Sequence, residues 1–149
     1  VEKKPKVLYH GAGESLTLLE PDYPGDDKLY VAATTDRDLA MLKGFKRALE
    51  QHCTVISLTK QSNVLLLVLS AESALISRHD LKNTLMRLHS LPFEEGQWIQ
   101  SSQHNSCWLS ERYQHLFLHV CSLRMRDVYT KQRFVIKHPR IGEVEGVFD

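Results

Sequence analysis

The stretch "CTVISLTKQSNVLLLVLS", Cys53–Ser70, decides the fold class. Its two halves, Cys53–Thr59 and Asn63–Ser70, are β-branched or continuously apolar, and Lys60-Gln61-Ser62 separates them. That pattern predicts a hairpin or two buried neighbours in one sheet. Two strands that follow each other without an intervening helix break the βαβ alternation from which doubly wound parallel sheets are built. A mixed, largely antiparallel α+β domain is therefore expected.

Working outward supports that class. Before the hairpin, Thr35-Asp36-Arg37-Asp38 supplies an N-cap, and Leu39, Leu42, Phe45 and Leu49 recur at helical spacing up to about Gln51. Upstream lie a strand "LYVAAT" (Leu29–Thr34), a polar loop "GESLTLLEPDYPGDDK" (Gly13–Lys28) and a first strand "KVLYHG" (Lys6–Gly11). After the hairpin, "AESALISRHDLKNTLMRLHSLP" (Ala71–Pro92) has helical periodicity through Leu75, Leu81, Leu85 and Leu88. "EEGQWIQSS" (Glu94–Ser102) reads as a strand, "SERYQHLFLHVCSLRM" (Ser110–Met125) as either helix or strand, and "RFVIKH" (Arg133–His138) as a strand stopped by Pro139. No repeat or linker divides the chain, so residues 1–149 read as one domain.

Composition narrows the function classes. The 149 residues are 42% hydrophobic and 25% charged, enough for one core, and a formal charge of +1 gives no global reason to expect nucleic acid or membrane as partner. The longest apolar run, "VLLLVLSA", falls far short of the roughly 20 residues of a membrane span. No apolar h-region follows "VEKKPK", and Cys53, Cys107 and Cys121 form an odd, unpaired set. A soluble, cytoplasmic protein with reduced thiols is expected.

The N-terminal third carries a resemblance. "LYHGAGESLTLLEP" followed by "LYVAATTDRDLAMLKGF" resembles the opening of ADP-ribosyltransferase-like proteins. In that family a strand ending Tyr-His-Gly leads through a variable loop to a second strand ending near Ala-Thr, then to a helix. The likeness spans Lys6–Phe45 and includes an "LxxLxP"-like loop and Ala40 in the first turns of the helix. It implies a split-sheet α+β fold with flanking helices, and NAD+ as the substrate. The acceptor of ADP-ribose, a protein, nucleic acid or small molecule, is not specified.

Carried onto this chain, the resemblance implies that His10, in the Tyr9-His10-Gly11 motif, bonds a ribose hydroxyl of NAD+, and that Gly11 admits the nicotinamide amide close to the backbone. Tyr30, or the Thr34-Thr35 pair, would form the opposite wall. An imidazole has one donor and one acceptor, which suits a hydroxyl, and glycine removes the Cβ that blocks close approach. A late glutamate stabilises the positive charge of the oxocarbenium-like transition state in active members. Here "GEVEGVFD" offers Glu143 and Glu145, which a strand would place on one face. Only Gly146–Asp149 follow, where the family's fold continues into another strand. Two functions stand: a transferase using His10 and Glu145 or Glu143, and a catalytically inactive module of the same fold that binds a nucleotide or meets a protein.

Other constellations are weaker. His104, Cys107, His115, His119 and Cys121 have the side chains of a zinc site but not the paired close cysteines of a finger, so packed or surface histidines are the default. Arg78-His79-Asp80 reads as an exposed helical segment. The basic series Arg124, Arg126, Lys131, Arg133, Lys137 and Arg140, interleaved with Tyr129 and Phe134, reads as a solvated sheet face before a nucleic-acid surface.

Overall fold

The computed structural model describes residues 4–13, 23–25, 28–104, 106–111 and 119–149. Strands dominate, in two sheets. The first contains β1 (Val7–Gly13), the short β2 (Tyr23–Pro24), β3 (Leu29–Thr34), β6 (Leu85–Pro92), β7 (Ile99–Gln100), β8 (Cys107–Ser110) and β9 (Val120–Arg124), in the order β7-β8-β3-β1-β6-β9 with β2 paired to β3. Every pairing in it is antiparallel. The second has the order β11-β10-β5-β4, from β4 (Val55–Gln61), β5 (Val64–Leu69), β10 (Arg133–His138) and β11 (Gly142–Val147). Its β5 and β10 run parallel; its other pairs are antiparallel. The expected mixed, largely antiparallel α+β architecture is thus present, with the Cys53–Ser70 hairpin as β4 and β5.

Helix α1 (Arg37–Leu49) holds the sheets together. Its Ala40, Met41, Phe45, Ala48 and Leu49 share one buried cluster with Leu65, Leu67 and Leu69 of β5, Phe134 and Ile136 of β10, and Met86 and Leu88 of β6. Phe134 and Phe148 pack ring to ring at 5.0 Å in the same cluster. On the opposite face of the first sheet a smaller cluster joins Leu8, Val31, Ala33, Leu91 and Trp98. The buried stripe of α1 is rotated from the expected Leu39-Leu42-Phe45-Leu49 line. Leu39 and Leu42 are only half-buried, and the small residues Ala40, Gly44 and Ala48 face inward instead, because here a helix backbone packs against a strand.

The largest correction is Ala71–Pro92. The expected long helix is a single short one, α2 (Arg78–Lys82, capped by Ser77), and the rest is β6. β6 lies between β1 and β9, paired to β1 over seven residues from Val7↔Pro92 to Gly13↔Met86. A central strand buries both faces: Met86 and Leu88 join the cluster under α1, and Leu91 joins the other. Apolar residues on both faces imitate helical spacing. Pro92 ends this strand, a position that needs no further ladder donor.

Smaller differences follow. Glu94–Ser102 contributes only the two-residue β7 after a turn. From the ambiguous Ser110–Met125 stretch, Ser110 belongs to β8 and Val120–Arg124 is strand β9, leading into the short α3 (Met125–Val128); residues 112–118 lie outside the described set. Most of the Gly13–Lys28 loop is also outside it. Among the described residues no helix is long and apolar enough to cross a membrane.

Candidate functional site

β1 does not stop at Tyr9-His10-Gly11 but runs on to Gly13, so the motif sits inside a strand. Alternation turns Tyr9, Gly11 and Gly13 toward α1, while the His10 ring reaches both β3 and Arg47 of the helix. At Gly11 the helix backbone meets the strand directly. A Cβ there would overlap the Ala40 carbonyl and lie 2.7 Å from Gly44 N and 2.9 Å from Gly44 Cα. Glycine at this position is therefore explained by the crossing of α1. The helix entry is fixed by consecutive side chains: Thr34 Oγ1 accepts from Asp36 N–H at 3.0 Å, and the Asp36 carboxylate accepts from Asp38 N–H and Leu39 N–H at 3.1 and 3.3 Å.

In its last turn, α1 is tied down by Arg47. Its Nη1 donates to Gly11 O at 2.7 Å and to His10 Nε2 at 3.1 Å. The other ring nitrogen, Nδ1, is 2.6 Å from Ala32 O on β3. A carbonyl only accepts and a guanidinium only donates, so His10 carries its proton on Nδ1 and gives its Nε2 lone pair to Arg47. The ring is buried and bridges β1 to β3, which are registered to each other at Tyr9↔Thr34. Both ring nitrogens are used within the protein. In this structure the His10 ring orients Arg47.

Between this part of α1 and the β1–β3–β8 wall lies a cavity of about 310 Å³. Tyr9, His10 and Gly11 of β1 line it, with Ala32, Ala33 and Thr34 of β3, Cys107 of β8, and His104 and Ser106 just before β8. The helix contributes Leu39, Ala40, Lys43 and Arg47, and Tyr23 of β2 completes the wall. None of the described lining residues carries a carboxylate, whereas Lys43 and Arg47 bring two cationic heads. Burial pushes the Cys107 thiol pKa up, and the Lys43 charge acts in the opposite direction.

Of the residues singled out in the sequence, the structure brings Tyr9, His10, Gly11 and Thr34 to this cavity. Thr35 is exposed and holds the β8 approach through Thr35 N–H to Ser106 O at 3.0 Å, without lining it. Tyr30 faces a different cavity, beyond β2. Glu143 and Glu145 share one exposed face of β11, as their spacing predicts, but β11 is the edge strand of the other sheet. There they face Lys137 and Arg133 of β10 at 3.6 and 3.5 Å. These pairs also account for part of the basic series; Phe134 and Tyr129 are buried. Neither glutamate reaches the cavity that holds His10.

Lys43, Arg47 and Tyr23 were not singled out as site residues from the sequence, and Cys107 entered only through the zinc constellation. The signal for the first two was present: Leu39, Lys43 and Arg47 recur every four residues along one helix line. It became readable once the buried stripe of α1 was placed one residue away. Cys107 lies on a four-residue strand too short to show a period.

Buried polar groups extend behind the site. His89 faces His10 across the β1–β6 ladder, with ring centroids 6.2 Å apart in an edge-on contact. It is 2% exposed, and neither ring nitrogen has a hydrogen-bond partner. Burial, and secondarily the Arg87 charge, lower its pKa. His138, in the second sheet, is satisfied: Nε2 donates to Ser73 O at 2.7 Å while Nδ1 accepts from Arg140 N–H. Among the described residues no three metal-ligating side chains come together; His115 lies outside that set. No protein-family model, no curated protein and no solved structure matches the chain.

Proposed function

We propose that the cavity between α1 and the β1–β3–β8 wall binds a nucleotide-type anion, NAD+ or a related nucleotide, and that the chain acts as a binding module rather than as a transferase. The observation that carries this reading is the charge of the wall: Lys43 and Arg47, one helical turn apart, both line it. Phosphate oxygens accept from both cations, and the guanidinium, held by His10 and Gly11 O, is oriented before a ligand arrives. The apolar remainder, Ala32, Ala33, Leu39 and Ala40, suits a sugar or ring face.

The transferase reading rests on the same resemblance but needs a carboxylate beside the breaking glycosidic bond. Glu143 and Glu145 stand on the other sheet in their own ion pairs. The protein or nucleic-acid acceptor expected from the resemblance belongs to that reading. Titration calorimetry with NAD+ and ADP-ribose tests the proposal. Lys43→Ala should weaken either ligand about tenfold, by losing one charge-assisted contact. Binding that ignores Lys43 overturns it, and steady nicotinamide release from NAD+ would restore the transferase.

A further inference from the structure

Two arginines share the face of the first sheet that turns away from α1. Arg87 of β6 stands opposite Ser122 of β9, and Arg124 stands opposite Leu85 in the neighbouring row. Met86, Leu88 and Leu123, at the alternate positions, pack into the cluster under α1, so Arg87, Ser122 and Arg124 lie together on the other face. The two arginines are thus diagonal neighbours, about 7–8 Å apart across the ladder. Both are half-buried, and Nε of each is buried with no hydrogen-bond partner. Among the described residues neither makes an ion pair. His89, two residues along β6 from Arg87, adds two more buried ring nitrogens without a partner. Ser122 is exposed, so the patch opens to solvent over β9, the edge strand of the sheet.

We infer that Arg87, Arg124 and Ser122 form an anion site that takes a phosphate dianion, on the side of the sheet away from α1. The site is separate from the cavity at Lys43 and does not rest on the function proposed for it. Like charges on neighbouring strands repel, and a buried N–H without an acceptor carries its full desolvation cost. An oxyanion held between the guanidiniums removes both penalties at once, which accounts for buried donors that the protein itself leaves unmatched. A phosphate dianion fits the donor set. Its two charges meet two cations, its tetrahedral oxygens accept from two planar forks in different directions, and the Ser122 hydroxyl supplies one more donor. A carboxylate, with one charge and two coplanar oxygens, is satisfied by a single guanidinium.

The experiment is titration calorimetry of the full chain with inorganic phosphate, at constant ionic strength and about pH 8, where phosphate is mainly a dianion. The parent is compared with Lys43→Ala, Arg87→Gln and Arg124→Gln, and thermal melts confirm that each variant folds. Lys43→Ala should keep a phosphate site, and each arginine change should weaken that site at least about tenfold. Ser122→Ala, at an exposed position, should lose about fivefold and serves as the test if an arginine variant does not fold. Acetate should bind the parent at least about tenfold more weakly than phosphate. Glycerol 3-phosphate separates the sources of the group: tighter binding of the ester assigns a phosphoryl group on a larger molecule, tighter binding of the free ion assigns inorganic phosphate, and either supports the site. Phosphate affinity that survives both arginine changes, that disappears with Lys43→Ala, or that acetate equals, overturns the site. So does absence of phosphate binding by the parent, or an unchanged Ser122→Ala where the arginine variants do not fold. The function proposed for the other cavity fails separately, on NAD+ binding that ignores Lys43.

Discussion

Replacing Gly11 by alanine should unfold much of the protein's stability margin, while the same change at Gly13, two residues on and facing the same helix, should not. At Gly11 the new Cβ would run into the Ala40 carbonyl and sit under 3 Å from Gly44 N and Cα. These are backbone atoms, so no rotamer change relieves the overlap and α1 must move off β1. Overpacking of this kind costs about 1–3 kcal/mol, and rigid neighbours put Gly11→Ala near about 3 kcal/mol. At Gly13 the nearest atoms to an added Cβ, Ala48 N and Arg47 C, are 3.6 Å away, an ordinary contact. There the reduced freedom of the unfolded chain should offset any loss, for a change within about 0.5 kcal/mol of zero. In urea melts with a slope of about 1.5–2 kcal/mol/M, the first variant loses about 1.5–2 M in midpoint and the second stays with the parent. If Gly11→Ala keeps the parent's midpoint and loses only NAD+ affinity, Gly11 serves ligand approach and the helix-contact argument is refuted.

Further outcomes follow from the same structure. The folded-state pKa of His89 lies below its unfolded value of about 6.5, so as pH falls through that value the unfolded chain takes up a proton that the folded chain refuses. Stability at His89 is thus retained above about pH 6.5 and lost below it; urea melts between about pH 7.5 and pH 5.5 should show a smaller loss for His89→Leu than for the parent, and parallel slopes would refute the burial argument. Glu143→Gln and Glu145→Gln remove exposed cross-strand pairs and should shift stability by no more than about 0.5 kcal/mol, with NAD+ binding unchanged by calorimetry. Thiol labelling followed by mass spectrometry should modify exposed Cys121 first, with buried Cys53 and Cys107 lagging, and saturating NAD+ should slow Cys107 alone; equal protection of Cys53 would point to global stabilisation instead.

What the sequence made legible was local. The hairpin Cys53–Ser70, the capped helix after Asp36, and the strands at Val7, Leu29 and Arg133 each carry their signal within a few residues, so pattern and cap suffice. β6 was hidden because a strand buried on both faces has no alternation to read: Met86 and Leu88 look one way, His89 and Leu91 the other. The cavity was half legible. Its strand side, Tyr9-His10-Gly11 and Thr34, is a motif; its helix side depends on the rotation of α1, which is set by the contact between Gly11 and Gly44 and thus by residues distant in sequence. Glu143 and Glu145 were placed correctly on one strand face, yet nothing local states which sheet that strand joins.

Under the proposed function, the sign of the site separates binding from bond cleavage. A glycosidic bond of NAD+ breaks through a transition state with growing positive charge on the ribose. A fixed cation about 5 Å from that charge, at an effective dielectric of about 20, raises its energy by roughly 3 kcal/mol, which slows the step more than a hundredfold. Lys43 and Arg47 both line the cavity. The same field acts on a diphosphate with opposite sign and favours its capture. His10 strengthens the asymmetry: its proton is fixed toward Ala32 O and its Nε2 lone pair toward Arg47, so the imidazole serves to aim a cation, not to neutralise one. Under the proposed function, a cleft built this way favours a bound nucleotide over the cation that the nucleotide would have to become.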